Sequence, residues 1–225
     1  MSLTALLLLA SLADPSEAEL RFRFIGNAAF EISDGAATLL IDFPYESGAF
    51  GYMTFDPAEL HTREPSLCLF THRHRDHFDP AALAKVGCSV AGPREVVSRA
   101  GNNAIAAEGP PWNFGGASIR CLPTQHANVE HCSYLVQWHD KRLFFAGDLE
   151  NLEVLSQEQE PLDAIFLPAW LASDSTRIRA KFPAARIVID HHRTGEEVAE
   201  CDGCLIPAQG ARFTLPGAPI PAGMP

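Results

Sequence analysis

Apolar residues recur along the chain in strand-length pieces. LRFRFI (20–25), AAFEIS (28–33) and ATLLID (37–42) alternate or run apolar, with Asp34-Gly35 as turn punctuation between the last two, and predict a β-meander. LCLFT (67–71) is a buried strand by the same reading. DPAALAKVG (79–87) then has the marks of a helix, with Asp79 as its cap, Pro80 at its first position and Gly87 just past its end. CSVAG (88–92) followed by PREVVSRAG (93–101) repeats strand then helix. SIRCLPTQH (118–126) is a strand running out into a histidine. SYLVQW (133–138) and RLFFAGD (142–148) predict a hairpin turning across His139-Asp140-Lys141. DAIFLPAW (163–170) and ARIVIDHH (185–192) are buried strands around a helix expected near Ser173 to Ala180. The order is β-rich, βα, β-rich, βα. It predicts an α+β fold, a four-layer sandwich of two mixed β-sheets face to face with helices outside.

No linker or repeat divides the chain, so residues 20–215 read as one domain between a leader, 1–19, and a Pro/Gly-rich tail, 216–225. In the leader, Leu3 to Ala10 is an apolar run of signal-peptide length, followed by the small-x-small triplets Ser11-Leu12-Ala13 and Ser16-Glu17-Ala18. Export is the expectation and a cytoplasmic chain the alternative, since no Lys or Arg precedes the run. The run is too short to cross a bilayer, so stable membrane insertion is not expected.

Composition narrows the function classes. With 47% hydrophobic and 20% charged residues the 225-residue chain suits a packed core, and its formal charge of -11 repels phosphate backbones. Nucleic acid is not an expected partner; a small-molecule substrate is. Oligomeric state is not legible. Cys68, Cys121 and Cys132 lie in strand-like text and read as buried free thiols, while Cys201 and Cys204 in CDGC are either bridged or inert; an even count of six, including Cys88, would permit disulfides.

The candidate chemistry is concentrated in THRHRDHFDP (71–80), which holds three of the nine histidines. His72 and His74, two apart in extended chain, project to one side; Asp76 and His77 follow where the chain turns toward its helix and can aim at a second point. Metal ligation needs neutral imidazoles and ionised carboxylates converging from rigid backbone. Downstream, TQH (124–126), GD (147–148) and DHH (190–192) each close a strand-like run with a further metal-ligating residue type.

THRHRDHFDP, LPTQH, FFAGDLE and RIVIDHH, in that order after FRFIGNAAFEISDGAATLLID, resemble the metallo-β-lactamase-fold hydrolase superfamily over most of residues 20 to 195, and within it the small branch that includes ascorbate-6-phosphate lactonase. The resemblance implies one metal held by His72, His74 and His126, a second held by Asp76, His77 and a late histidine, and Asp148 between the two. Aligning the strand-then-histidine ending favours His192 for that last ligand, with His191 as the alternative. It implies two Zn2+, with Mn2+ or Fe2+ as substitutes, about 3.5 Å apart and sharing a water whose pKa falls toward neutrality. The bridging hydroxide would attack an ester, lactone or phosphodiester of a small substrate, and Asp76 or Asp148 would serve as the catalytic proton acceptor. The alternatives are a non-catalytic metal-binding or scaffold protein, and a diiron redox protein, which His74 argues against because redox relatives carry a glutamate at that position.

Asp42 resembles a position that organises the metal loop, with turn duty as the plain reading. His131 reads as a surface histidine, with reach to a substrate as the alternative, and Arg73, Arg75 and Arg193 as solvated charges or partners of ligand carboxylates, with pairing to an anionic substrate as the alternative. His61 and His139 read as bystanders, and Trp170 as either pocket wall or core. The loops 44–63 and 102–116 are expected to wall the substrate pocket.

Overall fold

The computed structural model describes residues 19–56, 65–101, 104–199 and 201–215. The expected leader up to residue 18, the Pro/Gly tail and His61 lie outside the described residues. The meander forms as predicted: β1 (Arg21–Gly26), β2 (Ala29–Ser33) and β3 (Thr38–Ile41) pair antiparallel in sequence order. β3 then pairs in parallel with β4 (Ser66–Leu69), β4 with β5 (Ser89–Gly92) and β5 with β6 (Ala104–Ala106), while β13 (Arg212–Thr214) returns to the other edge of β1. The seven-stranded sheet thus runs β13-β1-β2-β3-β4-β5-β6.

The second sheet has six strands. β7 (Trp112–Phe114), β8 (Ala117–His126), β9 (Val129–Trp138) and β10 (Lys141–Phe145) pair antiparallel, and β10, β11 (Ala164–Pro168) and β12 (Arg186–Asp190) pair in parallel. Lys141 already pairs with Trp138, so the β9–β10 turn is His139-Asp140 alone, one residue shorter than expected. His139 takes a positive φ there and its Nε2 meets Asp34 Oδ2 at 2.9 Å.

Helices cover the outer faces. α1 (Pro80–Val86) starts where Asp79 Oδ1 accepts the Ala81 N–H at 2.8 Å and stops at Gly87, whose φ of 70° suits glycine. α2 (Arg94–Ala100) follows β5. α3 (Glu153–Gln157) and α4 (Ser175–Lys181) lie over the second sheet, and a 3-10 stretch, Ala169–Asp174, precedes α4. The alternation of side chains sorts the core into layers. Leu39, Ile41, Leu67 and Leu69 from one sheet meet Leu143, Phe145, Phe166 and Val188 from the other between the sheets. On the far face of the second sheet, Phe144, Ile165, Ile187 and Ile189 pack under Leu155 and Ile178. Leu40, Cys68, Phe70 and Val90 pack under Leu83 and Val96 on the far face of the first. Helix, sheet, sheet and helix are therefore four layers, the α+β sandwich expected.

Cys68, Cys121 and Cys132 depart from the free-thiol expectation, while Cys201 and Cys204 take the bridged one of their two expected states. Cys68 bridges Cys88, Cys121 bridges Cys132, and Cys201 bridges Cys204. Strand pairing, invisible in a single sequence, is what brings Cys121 of β8 and Cys132 of β9 to a Cα separation of 5.3 Å.

Candidate metal centre

The parallel strands β3, β4, β10, β11 and β12 all end on one rim, the edge where loops of such sheets gather functional groups. Asp42, at the end of β3, has a φ of 47° and is buried. Its Oδ1 accepts the Thr71 N–H at 2.7 Å, and its Oδ2 accepts the Thr71 hydroxyl at 2.8 Å and faces His77 Nδ1 at 2.9 Å. Asp42 therefore holds both ends of the histidine loop, which fits the organising role and not a plain turn.

These bonds set the imidazole tautomers. The Thr71 hydroxyl gives its hydrogen to Asp42, so its lone pair, 3.1 Å from His72 Nδ1, accepts from that nitrogen. His77 likewise keeps a proton on Nδ1 toward Asp42. In the neutral rings, both Nε2 lone pairs then face inward.

Two groups of donors result. His72 Nε2, His74 Nδ1, His126 Nε2 and Asp148 Oδ2 converge, with His74 Nδ1 3.0 Å from His72 Nε2 and 3.2 Å from His126 Nε2, and Asp148 Oδ2 3.2 Å from His126 Nε2. Asp76, His77 and His191 form the second: His191 Nε2 lies 2.9 Å from His77 Nε2 and 3.3 Å from Asp76 Oδ2. Asp148 faces both, for its Oδ1 is 3.0 Å from His77 Nε2 and 3.1 Å from His191 Nε2. Those last contacts have hydrogen-bond distance without hydrogen-bond alignment, leaving Oδ1 a buried acceptor with no aligned donor. Lone pairs converging with no protein donor at their centre fit a cation. A tetrahedral ion with ligands at about 2.0–2.1 Å sets neighbouring donors about 3.3 Å apart, close to the separations observed.

The preference for His192 is corrected here. His191 takes a φ of 51°, which turns its ring back toward His77, and its N–H donates to the Asn27 carbonyl at 2.6 Å. His192 points away, with Nε2 3.2 Å from the Pro207 carbonyl and its ring stacked on Phe24. The alternative, His191, is the residue the structure brings to the cluster.

The two groups differ electrostatically. Burial lowers His72 well below the ordinary histidine value, and burial together with the neighbouring His126 lowers His74. In the second group burial opposes the charged imidazole, but the neighbouring carboxylates together outweigh it: Asp148 and Asp42 raise His77 well above its ordinary value, and Asp148 and Asp76 raise His191 to about 9. Burial would raise Asp148, yet the charges of His77 and His191 hold it well below the carboxylate range. In metal-free protein the second group is thus a proton-sharing cluster.

Several residues at the site were not singled out, or were misread, in the sequence. His131 is buried, not superficial; its Nε2 accepts the Asp148 N–H at 3.0 Å and its Nδ1 donates to Thr124 Oγ1 at 2.6 Å. Gly147 makes that approach possible: a Cβ there would lie 2.7 Å from His131 Nε2, and its φ is 58°. Asn27 donates through Nδ2 to the Asp76 carbonyl at 3.2 Å and accepts the Met53 N–H at 3.0 Å. Asp190, fully buried beside His191, is raised by burial to about 8. Trp170 lines the mouth, its ring 5.0 Å from the His191 ring. Arg73 pairs with Glu95 and Arg75 with Glu46, so neither serves a cluster carboxylate.

Comparison with known proteins agrees with the geometry. The beta-lactamase superfamily domain matches residues 21–176. Among similar proteins, a UPF0173 metal-dependent hydrolase of Thermococcus onnurineus is 28% identical over 165 residues, 66% of this chain and 71% of the relative. One from Symbiobacterium thermophilum is 28% identical over 207 residues, 77% and 84% of the two chains. In fold, the chain resembles the metallo-β-lactamase fold protein YhfI of Bacillus subtilis, with a TM-score of 0.65 at 15% identity over 88% of this chain and all of that one. Family match, sheet architecture and clustered donors together identify the chain as a member of the metallo-β-lactamase superfamily of metal-dependent hydrolases.

Proposed function

We propose that the protein is a dinuclear zinc hydrolase of small esters, lactones or phosphodiesters. The observation that carries this reading is the division of the two oxygens of Asp148 between two groups of inward-facing histidines. In it, His72, His74, His126 and Asp148 would hold one ion, and Asp76, His77 and His191, with Asp148 facing them, would hold the other. Cations held there would supply Lewis acidity and would lower the pKa of water at the site toward neutrality.

The protein's own groups then orient and exclude. Asp42 and Thr71 fix the orientations of His77 and His72, so that in each neutral ring the Nε2 lone pair faces the cluster. Asp76, buried with its Oδ2 3.3 Å from His191 Nε2, is the carboxylate that would hold a proton at the centre, with Asp148 constrained by its two sets of neighbours. Three cystine pairs support residence in an oxidising compartment, as export would provide. Among the described residues no helix is long and apolar enough to cross a membrane.

Metal analysis of purified protein tests the reading: about two zinc per chain are expected. Iron with an absorbing centre would point to redox chemistry, and a metal-free chain to a scaffold. His74→Ala is expected to abolish hydrolysis while far-UV circular dichroism stays native; retained turnover would overturn the mechanism.

A further inference from the structure

We infer that the mouth of the centre selects a small anionic ester or lactone with an aromatic body, the ring lying against Tyr52 and Trp170 and the anionic group on Arg193. This rests on the hydrolase reading above and specifies its substrate class. The Tyr52 ring stands edge-on to the His191 imidazole, centroids 4.5 Å apart, and Trp170 approaches the same imidazole at 5.0 Å. Trp170 is anchored, its Nε1 donating to the Leu149 carbonyl at 3.0 Å, yet it is 46% exposed; Phe50 nearby is 59% exposed. Large rings left open to water beside a reactive centre form an apolar wall that a flat substrate covers.

The charge is supplied separately. Of the three arginines flanking the cluster, Arg73 is engaged by Glu95 at 2.8 Å and Arg75 by both oxygens of Glu46. Arg193 meets Glu196 only at 4.0 Å and the Phe50 carbonyl at 3.5 Å, and its side chain is 50% exposed. Its guanidinium sits over the Tyr52 ring at 4.5 Å, which fixes it one ring away from His191. In a chain of net charge -11, a loosely paired guanidinium held at the mouth favours an anion at a set distance from the scissile bond. An uncharged apolar substrate would leave Arg193 without a task, and a bare anion would leave the rings uncovered.

The test compares 4-carboxyphenyl acetate with phenyl acetate, each rate normalised to alkaline hydrolysis, on zinc-loaded wild type and Arg193→Gln. Wild type is expected to favour the anionic ester by about tenfold in kcat/KM, the scale of one charge-assisted hydrogen bond, through KM. Arg193→Gln is expected to bring that ratio to about one, and Trp170→Leu to raise KM for both aryl esters. Equal use of the two esters by wild type, or equal losses on both in Arg193→Gln, would overturn the inference while leaving the hydrolase reading intact. Hydrolysis of neither ester would count against that reading for this substrate class, and binding then decides the inference. Quenching of tryptophan fluorescence by 4-hydroxybenzoate should need about tenfold more ligand in Arg193→Gln than in wild type. Identical quenching curves would sink it.

Discussion

His131 is not among the clustered donors, yet Asp148 depends on it. The backbone N–H of Asp148 has its partner in His131 Nε2, and the ring is pinned by its bond from Nδ1 to Thr124. Burial pushes His131 down to about 3, so it stays a neutral acceptor at any working pH. Replacing it by Leu leaves a buried N–H unpaired, at a cost of about 1–3 kcal/mol, and removes a second bond worth about 1 kcal/mol. For a domain of this size the sum lowers Tm by about 4–16 °C. Because the lost bond positions a residue shared by both donor groups, zinc affinity should fall about 10–100-fold, the usual effect of losing a partner behind a ligand. His131→Gln restores an acceptor near the Nε2 position and should recover most of the affinity, though not the Thr124 bond. Zinc uptake in metal buffers and thermal melts of both variants measure this. A Leu variant that binds zinc as wild type, or a Gln variant as weak as Leu, would refute the positioning argument.

Other outcomes follow from the same contacts. Asp42→Asn puts an amide donor opposite His77 Nδ1 or Thr71, so one tautomer is lost, and zinc content should drop toward one per chain as measured by elemental analysis. Gly147→Ala forces a Cβ to within 2.8 Å of Thr71 at a positive φ and should destabilise by more than about 2 kcal/mol in urea melts. His191 is raised to about 9 in the fold from about 6.5 in the unfolded chain, so its contribution is complete below pH 6.5 and is lost as pH rises through 9. Metal-stripped protein should therefore lose stability over that window, and zinc uptake at pH 7.5 should release protons measurable with an indicator dye. Denatured but unreduced protein should show no thiol reactive to a thiol reagent, and full reactivity after dithiothreitol.

Much of the framework was legible because its causes are local. The alternation in LLID and IFLP reports which side chains face the sheet interface, and Asp79, Pro80 and Gly87 announce α1 by capping chemistry alone. The spacing of His72, His74, Asp76 and His77 gave the nearer half of the centre. The rest depends on distance in space. His191 and His192 are adjacent and chemically identical, and only a positive φ imposed by contact with Asn27 decides between them. His131 looked superficial because β9 carries polar residues around it; its partner is a backbone N–H seventeen positions later, which leaves no pattern. The short strands β6, β7 and β13 and helix α3 lack periodic runs and owe their form to the sheets and core they join. The one surviving clue was the strand-ending GD, where glycine permits what no other residue would.

The left-handed residues suggest why the centre is built before any ion arrives. Among the described residues, Asn27, Asp42, Ala127 and His191 are four of six non-glycine positions with positive φ, and all lie in or next to the cluster. Each such conformation costs about 1 kcal/mol or more, so something must offset it. The offsetting bonds are to protein groups: Asn27 to Asp76, Met53 and His191, Asp42 to Thr71 and His77, and the Ala127 N–H to Glu150 at 2.9 Å. None of them uses a ligand atom that faces inward, apart from the shared imidazoles whose far nitrogens do. The strain is thus balanced within the fold itself, and metal binding is left to replace protons on His77 and His191 rather than to order the loops that carry them.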